Sequence, residues 1–155
     1  MEVLHLFQSD SHNFVGHHGQ PAGTNTIHEV DQMQCVAGRG IRGDRFFDHA
    51  ENFHGQITFF AHEVYEEISD KLQISDRPVS VLRRNVITRG LDLNELIGQE
   101  FEVQGIRFLG TEECRPCYWM NQVFGPGSED ALKGRGGLGA QILTDGILRA
   151  DSETQ

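Results

Sequence analysis

The sequence predicts a mostly β domain, closed as a barrel, with two or three short helices outside it. Three observations predict this. The apolar runs are of strand length, three to nine residues. Two-residue turn signals join some of them, Gln104-Gly105 and Asp145-Gly146. Glycine is abundant, 18 residues in 155, against a usual share of about 7 %, which favours many turns and close backbone passages over long helices.

Val3–Ser9 alternates weakly and suggests a first strand. Residues 10–27, rich in Gly, Asn, Ser and His, read as a long loop. A strand over His28–Val36 then runs into CVAGRGIRGDRFF, where Gly38, Gly40 and Gly43 predict tight turns. Gln56–Phe60 is a short buried strand. Ala61–Leu72 is the best helix, because Val64, Ile68 and Leu72 recur every four residues with Glu and Lys on the other faces. Asn85–Thr88 reads as a strand. A short helix follows, with Asp92 as its N-cap, Glu95 three residues on and Gly98 as its stop. Phe101–Val103 with Ile106–Leu109 predicts one hairpin. Gln141–Thr144 with Ile147–Arg149 predicts another, because Asp145 and Gly146 both tolerate positive φ.

Length predicts one domain over 1–155, long enough to bury a core. The formal charge of −10 speaks against general binding to nucleic acid or to anionic membranes. Nine of the thirteen Lys/Arg residues nevertheless fall in three Gly- or Cys-containing segments: Arg39, Arg42 and Arg45; Arg83, Arg84 and Arg89; Arg115, Lys133 and Arg135. They suit a local pocket for an anion, or else a solvated scatter. The first residues carry no basic region of a signal peptide, and no stretch approaches the roughly 18 apolar residues of a membrane span. Three cysteines are then expected as thiols in a reducing cytoplasm.

Two of those thiols form the segment EECRPCYWMN, residues 112–121. C-x-P-C has the spacing of thioredoxin-like redox sites, but here it starts at 114, after several strands, where that fold needs it early. As a zinc site it supplies two ligands, leaving Cys35, His12, His17 or His18 to complete the set. A third possibility is one nucleophilic or metal-binding thiolate, favoured by Arg115 beside it and by other cations, with Pro116 fixing the backbone before Cys117. The commonest fate of free cysteine, a small buried hydrophobe, stands beside all three.

Four segments occur in a fixed order: AGRGIRGDRFF (37–47), RRNVITRGLDLNELIGQEF (83–101), GTEECRPCYWM (110–120) and LKGRGGLGAQILTDGIL (132–148). Together, and with SDSHNFVGHHGQP near the start, they resemble the MOSC family, the C-terminal domain of molybdenum cofactor sulfurases that also occurs as small stand-alone proteins. The resemblance implies a β-barrel with peripheral helices that handles the molybdenum cofactor, a pterin. Some members are thought to carry sulfur to it; others hold it through one cysteine and reduce N-hydroxylated compounds. It also implies that Cys117 is the molybdenum ligand or persulfide carrier, with Cys114 as an assisting or resolving thiol. Arg83, Arg84 and Asn85 match the family's Arg/Asn contact.

A phosphate and an anionic dithiolene call for guanidinium forks and free backbone N–H groups. Gly134 and Gly136, flanked by Lys133 and Arg135, are candidates to supply them. Asp44 and Arg45 suit either an internal ion pair or a cofactor contact. Two departures from the family pattern stand out. The last strand ends Leu148-Arg149-Ala150-Asp151, and no desulfurase, iron–sulfur or flavin module accompanies the barrel. Electrons or sulfur are therefore expected from a partner protein, and a non-catalytic persulfide carrier is the alternative function.

Overall fold

The computed structural model describes residues 1–9, 27–116 and 119–151, Trp119 by its backbone alone. The loop expected over 10–27 falls almost wholly outside these residues. So do Cys117 and the histidines 12, 17 and 18.

The described strands are β1 Glu2–Gln8, β2 His28–Val30, β3 Gln32–Val36, β4 Gly40–Ile41, β5 Ile57–Ala61, β6 Val86–Arg89, β7 Glu100–Val103, β8 Ile106–Glu113, β9 Leu138–Ile142 and β10 Gly146–Arg149. Seven form a mixed sheet in the order β2-β1-β6-β5-β9-β8-β7, and three form a second sheet, β10-β3-β4. The mostly β class holds. Strand closure does not follow among the described residues: the edges of the larger sheet, β2 and β7, do not pair with each other.

The strand expected over 28–36 divides at Asp31. Its first part pairs with β1 (Leu6 opposite Val30) and its second with β10 (Leu148 opposite Met33), so the chain changes sheets at that corner. The two sheets enclose one core, in which Met33, Cys35 and Leu148 meet Val3, Ile57, Phe59 and Phe108. Phe59 packs edge-on against Phe101 and Phe108, ring centroids 5.5 Å away in each case. All five β5 residues are buried, because the strand alternates between two cores. Phe59 enters the core between the sheets, and Phe60 enters a second one beneath the helices.

That second core is built by α1 (His62–Leu72), α2 (Trp119–Val123) and α3 (Ser128–Leu132), through Ile68, Met120, Phe124 and Leu132. The sequence predicts α1; α2 and α3, of five residues each, are too short to show helical periodicity. Asp92 caps a single 3-10 turn, Leu93–Leu96, by accepting from the Asn94 N–H, and Gly98 ends the segment at φ +77°.

The Gln104-Gly105 hairpin forms as expected. Both residues have positive φ, 54° and 82°, and Val103 faces Ile106. The hairpin expected at Asp145-Gly146 does not form. β9 pairs with β5 and β8, whereas β10 leaves to pair with β3. Asp145 is drawn away because its Oδ1 accepts from the Ala37 N–H at 2.7 Å. Gly146 is needed for space: a Cβ there would lie 2.6 Å from Ile106 Cγ1. No helix among the described residues is long and apolar enough to cross a membrane.

Candidate functional site

Residues 79–82 form a 3-10 turn that ends with Arg83 in the left-handed region, φ +57°. This kink sends two consecutive guanidinium groups in different directions. Arg83 is buried, and its Nη2 donates to Ser9 Oγ at 3.0 Å. Arg84 turns toward the 134–137 loop, where Nε donates to the Gly136 carbonyl (3.0 Å) and Nη1 to that of Leu82 (3.0 Å). Arg84 has no carboxylate partner among the described residues.

Beneath them Asn85, fully buried, ties three segments together. Its Oδ1 accepts from the Thr58 N–H and hydroxyl, and its Nδ2 donates to the Phe7 carbonyl and to Asp44. Asp44 also accepts from the Ser9 and Phe46 N–H groups and pairs with Arg45 at 3.1 Å. The Asp44–Arg45 side chains are 0 % and 6 % exposed, so this is an internal ion pair. Arg45 nonetheless reaches the Arg83 carbonyl (2.8 Å) and lies over the Phe46 ring, 4.9 Å from its centroid.

These groups border a cavity of about 330 Å³. Arg45, Arg83, Arg84 and Arg115 line it together with Cys114, as do Phe46, Phe53, His54, Glu112 and Glu113. Phe46 and Phe53 stack at 5.4 Å, and His54 Nε2 meets Glu112 Oε1 at 2.9 Å. Nothing in the sequence pattern singles out Phe53 or His54. Glu112 and Glu113 stand directly before Cys114, a signal that could have been read.

The electrostatics are those of crowded cations. Burial first, and Arg45 after it, push the Arg83 guanidinium down to about 10, against the support of Asp44. Arg45 is lowered chiefly by burial, and again by Arg84, against the support of Asp44. Both remain charged at neutral pH, but each neighbour's charge is felt, and a bound anion would relieve the crowding. The Cys114 thiol is pushed up, chiefly by burial, with Arg84 opposing and Glu112 and Glu113 adding smaller pushes upward. The thiolate is thus not favoured at Cys114, because burial outweighs the opposing charge of Arg84.

Lys133, Gly134, Arg135 and Gly136 do not line this cavity. Lys133 is exposed and pairs with Asp130 at 3.0 Å, and Arg135 pairs with Glu67 at 2.6 Å. Gly136 acts through its backbone. A Cβ there would lie 1.9 Å from the Cys114 carbonyl oxygen, so only glycine lets the two segments touch. Gly137 accepts from the Cys114 N–H at 2.8 Å, which fixes the start of the cysteine segment against β9.

A larger cavity, about 540 Å³, lies between α1, residues 90–94 and Arg135–Gly137. Among the described residues it is lined by no thiol and by one ion-paired arginine, so the smaller cavity is the better chemical candidate. No group of three or more His, Cys, Asp or Glu is placed to hold a metal ion among the described residues, which leaves the zinc possibility without support there.

A family profile described as MOSC domain matches residues 16–154. No curated protein matches the sequence. Among solved structures, the YuaD protein from Bacillus subtilis is similar with a TM-score of 0.75 at 20 % identity, over 96 % of this chain and 91 % of that one. YiiM from Escherichia coli is similar with a TM-score of 0.64 at 16 % identity, over 95 % of this chain and 66 % of that one. At such identities the likeness speaks to the fold alone.

Proposed function

The chain belongs to the MOSC domain family, and on that premise we propose that its arginine-lined cavity binds the molybdenum cofactor, held or supplied with sulfur through a cysteine. One observation carries this reading: a thiol and four guanidinium groups share one small cavity, and Arg84 has no carboxylate partner among the described residues. The donor set suits an anionic pterin. Arg84 keeps its Nη2 for a phosphate, with Nε and Nη1 held by the Gly136 and Leu82 carbonyls, and Arg45 adds charge beside it. Phe46 and Phe53 offer a flat wall for a planar ring. Arg83 supplies charge from behind, and Arg115 stands at the exposed rim. Asn85 and Asp44 hold these arginines in place rather than meeting the ligand.

Cys117 is the proposed metal ligand or persulfide carrier, on the family resemblance. Cys114 is the assisting thiol, kept protonated by burial and by Glu112 and Glu113. When bound, the cofactor would supply a metal centre for oxygen-atom transfer. The proposed reaction is reduction of an N-hydroxylated compound to the amine and water, with two protons consumed and two electrons drawn from a partner protein. A non-catalytic persulfide carrier is the second reading, favoured by a second thiol three residues before Cys117 on the cavity wall.

The test is production in a host that makes the cofactor, followed by measurement of molybdenum and pterin in anaerobically prepared protein. Both should be present in the wild type. Arg84→Ala should lower both, and Cys117→Ala should lower molybdenum more than pterin. Wild type lacking both would overturn the cofactor reading. Transfer of labelled sulfur from a desulfurase to the wild type, but not to Cys117→Ser, would then identify a carrier.

A further inference from the structure

The larger cavity has its own chemistry, and neither Arg84 nor Cys114 lines it. Its volume, about 540 Å³, falls within the range of small-molecule sites. Ala61, Val64, Leu91 and Leu93 give it an apolar lining. Three hydrogen bonds strap its walls to one another. Glu63 Oε2 accepts from the Gly90 N–H at 2.8 Å, Asn94 Nδ2 donates to the Gly134 carbonyl at 2.7 Å, and Arg135 Nη1 donates to Glu67 at 2.6 Å. These bonds join α1, the 90–94 segment and the 134–135 turn, so the space is a built one.

Among the described residues, the charged groups that remain have one sign. Glu63 and Asp92 each use one carboxylate oxygen, on the Gly90 and Asn94 N–H groups. Neither second oxygen has a hydrogen-bond partner among the described residues. Among the described residues, the one cation of the lining, Arg135, is already neutralised by Glu67. The start of α1 has no side-chain cap, but Glu63 in its first turn already answers the helix dipole. Two carboxylates against one paired guanidinium leave the lining net negative above apolar side chains.

We propose that this cavity binds a small amphiphile carrying a protonated primary amine, the amine on Glu63 and Asp92 and the hydrocarbon against Val64, Leu91 and Leu93. The proposal stands apart from the cofactor reading, since no residue assigned to the cofactor there takes part.

The probes are hexylamine, hexanoate and hexan-1-ol, titrated into the 15N-labelled chain and followed by amide NMR. Hexylamine should move the resonances of residues 61–64 and 90–94, and hexanoate should bind at least about tenfold more weakly, a difference worth about 1.4 kcal/mol. Asp92→Asn and Glu63→Gln keep an acceptor for the Asn94 and Gly90 N–H groups while removing the charge. Each should weaken hexylamine about fivefold with an unchanged melting temperature. Equal binding of the three probes, shifts confined to other residues, or undiminished affinity in both variants would each overturn the proposal, the first on the wild type alone.

Discussion

The cavity around Cys114 is the smaller of the two, about 330 against 540 Å³, yet among the described residues it gathers four guanidinium groups where the larger has one. Its cations are crowded: Arg45 depresses Arg83 and is itself depressed by Arg84, and among the described residues one buried carboxylate, Asp44, answers them from below. In the larger cavity Arg135 is paired with Glu67, and the unanswered oxygens belong to Glu63 and Asp92. Size and chemistry therefore point to different places. The leftover charge of a cavity, after its internal partners are counted, tells more about its ligand than its volume does.

The asparagines of the two regions should break differently. Asn85→Ala should cost about 4 kcal/mol, because it strands the Thr58 N–H and the Phe7 carbonyl in a buried place and leaves Asp44 with fewer donors. Asn94→Ala removes an exposed bond to Gly134 that water can replace, and should cost less than about 1 kcal/mol. Urea unfolding of both variants measures the gap. Equal losses would mean that the first cavity has no buried scaffold of the kind described.

The glycines give a smaller contrast in the same loop. Gly136→Ala drives a methyl group against the Cys114 carbonyl and should cost about 3 kcal/mol. Gly134→Ala meets nothing within 4 Å, and its strain comes only from φ +79°, so about 1 kcal/mol is expected. Melting temperatures should rank the two variants in that order. The reverse order would remove the argument that residue 136 lets the cysteine segment seat against β9.

Much of this was legible in the sequence where the cause is local. Val64, Ile68 and Leu72 repeat at helical spacing, and α1 covers them. Gln104-Gly105 makes its hairpin because both residues can take positive φ. Asp145-Gly146 carries the same signal and fails, because Ala37 and Ile106, more than thirty residues away, claim those two positions. The cavity follows the same rule. Arg83, Arg84 and Cys114 are drawn together by their motif segments, whereas Phe53 and His54 arrive through the fold. Arg135 sits in a glycine-rich loop that reads as a phosphate cradle, but Glu67 of α1 captures it, and no pattern around residue 135 announces a partner in a distant helix. The larger cavity was not legible at all, its walls being three separate segments with unremarkable sequences.

The two described thiols carry the comparison into the core, with a pH dependence that shows only above about pH 9. Burial raises both, but Cys114 has Arg84 working against the shift and Cys35 has no such charge. Cys35 is pushed from 9.0 to about 12. In the unfolded chain this thiol ionises near pH 9, while in the folded chain it holds its proton to about 12. Its contribution to stability is therefore fully present below pH 9 and is lost as pH rises toward 12, with a slope of at most about 1.36 kcal/mol per pH unit. Cys35→Ala leaves a cavity whose cost is the same at every pH, so the variant should run parallel to the wild type up to pH 9. Above pH 9 the gap should narrow, because only the wild type loses the thiol's share. Unfolding free energies measured from pH 7 to pH 10.5 test this, and a gap that stays constant across that range would show that residue 35 reaches solvent as a thiolate.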